Sequence, residues 1–163
     1  MKTELHLSIQ YASDCQDILP RWRLRNWVQK ALDNAVAVYH EAGEEPPFTC
    51  AQFALRMVGP EEMTELNGQY RDKAYATNVL TFEYGVDENQ RITADIIICD
   101  EVLKREAVEQ KKTLLQHAAH LTVHGVLHAL GYDHIDPEDA EDMESLEIEI
   151  LQLLKIPNPY LAK

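Results

Sequence analysis

Three histidines near the carboxyl end of the chain have the spacing of a metal site. His124 and His128 are four residues apart, which on a helix places both imidazoles on one face, where one ion can bridge them. Gly131 can take the left-handed conformation that reverses the chain, so that His134 returns to the same ion. Three neutral imidazoles and an open fourth position describe a catalytic zinc site. We therefore predict one zinc ion bound by His124, His128 and His134, with hydrolysis as the chemistry.

A plainer interpretation is that two of these histidines make ordinary hydrogen bonds at the surface or in the core. Two histidines four residues apart are weak evidence for a metal. The glycine, the third histidine and the apolar helix favour the metal, because imidazoles buried there without partners would cost desolvation energy. His117 and His120 lie on the same helix at other offsets, and we expect them to pack or to face solvent. Asp133 either orients a ligand histidine or caps the turn.

The residue after the first histidine limits the chemistry. The spacing H-x-x-x-H-x-x-G-x-x-H is that of metzincin metalloproteases, in which a glutamate after the first histidine is the general base. Here that residue is Gly125, which cannot accept a proton. The sequence therefore keeps a metzincin-like metal motif but lacks the base of a peptidase.

The periodicity of apolar residues predicts the elements that carry this motif. Alternation predicts strands at 4–11, 48–58, 79–84 and 91–99, the last two forming a hairpin or near neighbours. Helical spacing predicts helices at 20–43, 59–70, 100–112, 113–130 and from 137 onward, with a loop from 71 to 78. The helix at 113–130 is apolar almost all round, so we expect it to cross the core. The predicted fold is α/β (α+β): a small, mostly four-stranded sheet packed with helices, the metal-binding helix at its centre.

Composition bounds the class of protein. A chain of 163 residues with 45% hydrophobic content fits one hydrolase domain over residues 1–163. No segment approaches the roughly 20 apolar residues that span a bilayer, and the first residues lack a secretory signal, so we expect a cytoplasmic protein. Cys15, Cys50 and Cys99 are odd in number and widely spaced, which indicates reduced thiols.

The charge distribution is uneven. The formal net charge is -13, and residues 113–163 hold nine acidic residues against two lysines. A protein that binds phosphates usually presents a basic surface, so local basic clusters matter more here than the total. There are three such clusters: Arg21, Arg23, Arg25 and Lys30; Arg71 and Lys73; and Lys104, Arg105, Lys111 and Lys112. A cluster of this kind is more often a solvated face than a binding surface.

Three segments carry a family resemblance. Residues 124–134 closely resemble the H-G-x-L-H-L-x-G-Y-D-H signature of the YbeY family of bacterial metal-dependent endoribonucleases. Residues 66–73 and 77–82 look like its L-N-x-x-Y-R-x-K and T-D-V-L-S-F blocks, and residues 94–96 resemble its G-D-I strand. Asn78, Ala94 and Ala129 depart from the family's usual aspartate, glycine and leucine. Asn78 puts in doubt any role that needs a negative charge there.

The resemblance implies a zinc-dependent, single-strand-specific endoribonuclease that acts in ribosomal RNA maturation and ribosome quality control. It implies zinc at the three histidines, with Arg71 and His124 as catalytic residues, and ribosomal RNA and the small subunit or assembly proteins as partners. We expect a monomer that does not bind membranes. An arginine in a loop beside zinc can hold a phosphodiester, although an ion pair of Arg71 with Asp72 or a neighbouring glutamate is the alternative.

Two other functions stay open. A zinc peptidase or other amide hydrolase would keep the metal and change the substrate, and Gly125 weighs against it. A non-catalytic ribosome-assembly factor would use zinc to hold the fold, and the net charge of -13 favours that interpretation.

Overall fold

Four strands and five helices make up the part of the chain that the computed structural model describes, which is residues 2–73, 75–132 and 137–160. In chain order the elements are β1 (Glu4–Tyr11), α1 (Arg21–Glu41), β2 (Cys50–Val58), α2 (Pro60–Arg71), β3 (Val79–Val86), β4 (Arg91–Cys99), α3 (Asp100–Glu109), α4 (Leu114–Ala129) and α5 (Pro137–Leu153). The predicted α+β fold with a four-stranded sheet is confirmed.

The sheet is mixed, with the strand order β1-β2-β4-β3. Strands β1, β2 and β4 are parallel, whereas β3 pairs with β4 in antiparallel orientation, which confirms the predicted hairpin. The Asp87 carboxylate closes the hairpin turn by accepting hydrogen bonds from the backbone N–H groups of Asn89 and Arg91. The strand order makes β1 and β3 the two edges of the sheet.

Each face of the sheet has its own hydrophobic core. The larger core lies between the sheet and helices α1, α4 and α5, and the smaller one includes residues of α2 and α3. Side chains alternate between the two along β4, so that Ile96 and Ile98 join the larger core while Ile97 joins the smaller. Strand β4 is therefore covered on both faces.

Local sequence signals set both ends of α4. Thr113 accepts a hydrogen bond from the Gln116 backbone N–H, and the Gln116 side chain accepts one from the Thr113 N–H, which is a capping box. At the other end Gly131 has φ +102°, a left-handed conformation that glycine adopts without strain. The Gly131 N–H donates to the His128 carbonyl and the Tyr132 N–H to that of Leu127, so the chain reverses as predicted.

Some boundaries differ from the prediction. Arg71 is the last residue of α2 rather than part of the following loop, because the helix continues until Asp72 takes a left-handed conformation with φ 56°. Strand β3 extends to Val86, and α3 ends at Glu109. Element ends depend on caps and tertiary contacts, so shifts of this size are expected.

Two further observations concern the class of protein. The three cysteines are buried free thiols, as expected. No described helix combines the length and the apolar character that crossing a membrane requires.

Candidate metal centre

The first two predicted ligands converge at the carboxyl-terminal half of α4. The Nε2 atoms of His124 and His128 are 3.1 Å apart, and the planes of the two rings are inclined by 77°. Two nitrogens bound to one tetrahedral zinc ion at about 2.0–2.1 Å would lie about 3.3 Å apart. The donor set and its spacing therefore fit a zinc ion. Asp133 and His134, the latter predicted as the third ligand, lie outside the described residues.

A buried carboxylate on α5 holds the first of these histidines. The Glu147 side chain is 0% exposed, and its Oε1 accepts a hydrogen bond from His124 Nδ1 at 2.8 Å. Burial alone would raise the pKa of Glu147, but hydrogen bonds from His120 and His124 outweigh it and lower the pKa to about 2. An ionised carboxylate can only accept, so Nδ1 of His124 carries the proton and Nε2 keeps its lone pair. Metal-binding histidines are commonly oriented in this way.

Two more groups complete the surroundings of this carboxylate. Glu147 Oε2 accepts hydrogen bonds from His120 Nε2 at 3.3 Å and from the Tyr160 hydroxyl at 2.7 Å. Burial raises the pKa of Tyr160, and the hydrogen bond to Glu147 raises it further, so the hydroxyl stays a donor. The expectation that His120 only packs or faces solvent is thus incomplete, because it belongs to a network with Glu147.

This network is itself a candidate group of metal ligands. The ligand atoms of His120, His124 and Glu147 all lie within 4.8 Å of one another, so these residues could hold an ion. His124 faces Glu147 through Nδ1 and His128 through Nε2, so the two candidate sites use different nitrogens of the same ring. Glu147 already accepts three hydrogen bonds, whereas His124 and His128 line an open cleft. The pair at the cleft is therefore the better candidate for chemistry.

Arg71 lines the same cleft, which has a volume of about 530 Å³. Its side chain is exposed and forms no hydrogen bond or ion pair with any described residue. The alternative ion pair with Asp72 or a neighbouring glutamate is therefore not observed among them. A guanidinium that has no partner among the described residues and shares a cleft with two imidazoles is available to bind an anionic group.

Asn78, the departure from the family pattern, also lines the cleft. Its Nδ2 donates to Glu106 Oε1 at 3.1 Å, and the same oxygen accepts a hydrogen bond from His117 Nε2 at 2.9 Å. Burial lowers the pKa of His117, which is 2% exposed. His117 therefore packs, as expected. Because the partner of Asn78 is a carboxylate, a neutral amide donor suits this position without electrostatic repulsion.

The packing around Gly125 bears on the peptidase alternative. A Cβ atom at this position would lie 2.8 Å from Cγ2 of Ile96, closer than real Cβ atoms come. Ile96 is fully buried in the larger core and has little freedom to move. The glycine thus allows α4 to lie against β4, and a glutamate does not fit where metzincins place their base.

The residues that sequence reasoning missed are partners of the histidines. Glu147 lies at helical spacing between Met143 and Ile150, on the apolar face of α5. An acidic residue on such a face signals a buried carboxylate that needs donors. The sequence holds no comparable signal for Tyr160.

Helix α4 packs on a mixed four-stranded sheet and presents two imidazoles to a cleft, which Arg71 at the end of α2 also lines. This arrangement defines a class: α+β proteins with a candidate metal-dependent hydrolytic site. Residues 9–155 match the family described as Endoribonuclease YbeY, and the chain belongs to this family. The resemblance carried by the three sequence segments is confirmed, and the match extends it into the first 60 residues.

Relatives cover nearly the whole chain. A protein of Bordetella pertussis named Endoribonuclease YbeY is 54% identical over 163 residues, which is 99% of both chains. One of Thiobacillus denitrificans with the same name is 45% identical over 160 residues, covering 98% of this chain and 99% of the relative. The solution structure of a Thermotoga maritima protein superimposes with a TM-score of 0.56 at 20% identity, covering 96% of this chain and 97% of that one. This likeness supports the fold.

Proposed function

We propose that this chain is a zinc-dependent, single-strand-specific endoribonuclease that acts in ribosomal RNA maturation and ribosome quality control. Family membership makes cleavage of RNA the reaction to explain. The observation that carries the proposal is that Arg71, His124 and His128 line one cleft. We further propose that residues 1–163 work as one domain, as a cytoplasmic monomer that meets its RNA on the small ribosomal subunit or with assembly proteins.

His124, His128 and His134 would hold one zinc ion. The 3.1 Å separation of the Nε2 atoms of His124 and His128 supports this assignment. The hydrogen bond from His124 Nδ1 to Glu147 also supports it, because it places the proton on Nδ1 and so makes Nε2 the nitrogen that can act as a ligand. When bound, zinc supplies Lewis acidity toward a phosphate oxygen or a water molecule. His124 contributes to catalysis as a ligand whose ring orientation is fixed from behind by Glu147.

Arg71 would bind the phosphodiester. Its planar guanidinium can donate two parallel hydrogen bonds to phosphate oxygens, and the interaction strengthens as negative charge grows in the transition state. The absence of a described partner for Arg71 supports this role, since no ion pair has to break before RNA binds. Arg71 thereby positions the phosphate between itself and the two imidazoles.

The test compares wild type with His128→Ala by elemental analysis and by cleavage of a structured RNA that contains single-stranded loops. His40→Ala is the matched control, because His40 is an exposed histidine of α1 that is not one of the proposed zinc ligands. We expect about one zinc per chain in wild type and in the control, in line with a single three-histidine site, and loss of both zinc and cleavage in His128→Ala. Circular dichroism checks that each variant is folded.

Other results would separate the alternatives. Zinc retained by His128→Ala would mean that the ligand assignment is wrong. If wild type bound RNA without cleaving it, and His128→Ala lost its zinc, the results would favour the non-catalytic assembly factor. Hydrolysis of a peptide library but not of RNA would favour the amide hydrolase.

A further inference from the structure

A second groove lies at the opposite edge of the sheet from the cleft, between β1 and the outer face of α1. We call it the Trp22 groove; it has a volume of about 570 Å³, and its walls include Trp22, Lys2, Arg25 and Lys30. Because β1 and β3 are the two edges of the sheet, three inter-strand spacings of about 4.8 Å separate this edge from the strand that lines the cleft. The groove is thus a surface distinct from the candidate metal centre.

The cations of the Trp22 groove are not neutralised by ion pairs. Within the described ranges, no carboxylate lies within ion-pair distance of Lys2, Arg25 or Lys30. The guanidinium of Arg25 instead donates to the Leu5 backbone carbonyl at 3.3 Å, which fixes the side chain without cancelling its charge. These three charges therefore remain available to an anionic ligand.

The two acidic residues of the groove are already engaged. Asp33 Oδ1 accepts hydrogen bonds from the Thr3 backbone N–H at 2.8 Å and from Gln29 Nε2 at 3.0 Å. The Glu4 carboxylate contacts His6 Nε2 at 2.7 Å. Asp33 thus joins α1 to the residue before β1, Glu4 is engaged within β1, and neither carboxylate contacts the three cations.

Trp22 differs sharply from the other tryptophan of the same helix. Trp27 is 4% exposed and belongs to the larger core, whereas Trp22 is 66% exposed. The guanidinium of Arg23 lies 4.6 Å from the centroid of the Trp22 ring. An indole with this exposure contributes little to the core, and it presents a flat apolar surface next to cations.

We propose that the Trp22 groove binds a single-stranded RNA segment, with one base stacked on Trp22 and phosphates held by Arg25 and Lys30. An aromatic platform beside cations that follow a backbone is the chemistry that binds single strands without sequence preference. Charge complementarity supports this occupant, because phosphates carry the charge opposite to that of Lys2, Arg25 and Lys30, which no described carboxylate neutralises. The inference rests on the proposed function in one respect, which is that the ligand belongs to the same class, single-stranded RNA.

The basic cluster on α3 and the turn that follows it shows what an ordinary charged face looks like in this protein. Arg105 pairs there with Glu109 at 3.7 Å, and the exposed apolar residue next to them is Val108, which is aliphatic. Lys104 and Lys111 lie in this cluster, outside the Trp22 groove. The double variant Lys104→Ala/Lys111→Ala therefore removes the same charge as Arg25→Ala/Lys30→Ala and is its matched control.

The experiment measures binding of a ten-nucleotide 2′-O-methyl oligouridylate by tryptophan fluorescence, at several salt concentrations. We expect the oligonucleotide to quench the tryptophan fluorescence of wild type but not that of Trp22→Leu. The variant should also bind about 5- to 150-fold more weakly, which is the range for one lost base stack. In Arg25→Ala/Lys30→Ala, the slope of the logarithm of the binding constant against the logarithm of the salt concentration should become shallower by about 1.4. This is the value for two phosphate contacts on a single strand. The lysine control should leave the slope unchanged.

Wild-type affinity in both Trp22→Leu and Arg25→Ala/Lys30→Ala would overturn the proposal, as would failure of wild type to bind. Equal losses in the lysine control would also overturn it, since they would reflect net charge alone. The readout is binding, so the outcome is separable from the proposed function: a chain that binds the oligonucleotide through Trp22 but cleaves no RNA would disprove the nuclease and keep the groove. Melting temperatures check the variants, whose changed side chains are exposed.

Discussion

The two walls of the cleft are built in opposite ways. The helix wall consists of His124 and His128 on α4, and its hydrogen bonds run back into the protein through the fully buried Glu147. The strand wall runs from Arg71 at the end of α2 to the first residues of β3, and the guanidinium of Arg71 contacts no described partner. Hydrogen bonds therefore hold the helix wall in place, whereas no described contact holds the Arg71 side chain.

This difference has an energetic reason. The proposed zinc ion would need its ligands in place, and the structure holds His124 with a carboxylate that itself accepts three hydrogen bonds. In the proposed function a flexible RNA strand would present phosphates in variable positions, and an arginine without a described partner could follow them at the cost of side-chain entropy. The two walls can be tested separately by variants that affect one and leave the other intact.

The largest effect should come from the strand wall. Arg71→Ala removes the group that would hold the phosphate in the transition state, and we expect kcat for RNA cleavage to fall about 10²- to 10³-fold. Zinc content should stay at the wild-type level, because Arg71 touches neither histidine of the helix wall. Single-turnover cleavage and elemental analysis on the same preparations check both statements.

Two variants control this result. Arg71→Lys keeps the charge but loses the planar fork, so it should recover only part of the rate. Lys73→Ala removes a nearby cation that does not line the cleft and should cleave RNA like wild type. If Arg71→Ala lost its zinc as well, the independence of the two walls would be wrong.

The next effect concerns the support of the helix wall. Glu147→Gln preserves shape but removes the charge that fixes the His124 tautomer, and zinc affinity should fall about 10- to 100-fold. Competition with a chromophoric chelator measures this affinity. Saturating zinc should restore most of the cleavage rate, unlike in Arg71→Ala.

Glu106→Gln is the matched control for this variant. Glu106 contacts His117 and Asn78 and neither histidine of the helix wall, so zinc affinity should be unchanged. A fall of equal size in both variants would show that the effect comes from general loosening of α4.

The smallest effect should come from the third donor to the same carboxylate. Tyr160→Phe removes one hydrogen bond to Glu147 while those from His120 and His124 remain, so the free energy of unfolding should fall by about 1 kcal/mol. Urea denaturation measures this loss, and the slope of the unfolding free energy against urea concentration should be the same as in wild type. A loss of zinc affinity as large as in Glu147→Gln would instead mean that Tyr160, rather than the carboxylate, orients His124.

Much of the fold was predictable because it depends on near neighbours in the chain. The alternation that places Ile96 and Ile97 on opposite faces is a two-residue period, and the start and stop of α4 follow from Thr113 and Gly131. The end of α2 was placed too early, because nothing in the local pattern at Arg71 shows that Asp72 caps the helix in a left-handed conformation.

By itself the sequence determined that His124 and His128 share a face, because four residues are close to one helical turn. Only the tertiary structure decided that Glu147, which is 23 residues away on another helix, holds one of them, and that Arg71 faces both across a cleft. The physical reason is the range of the forces involved. Helical and strand periods arise from backbone geometry over a few residues, whereas these encounters depend on how whole elements pack.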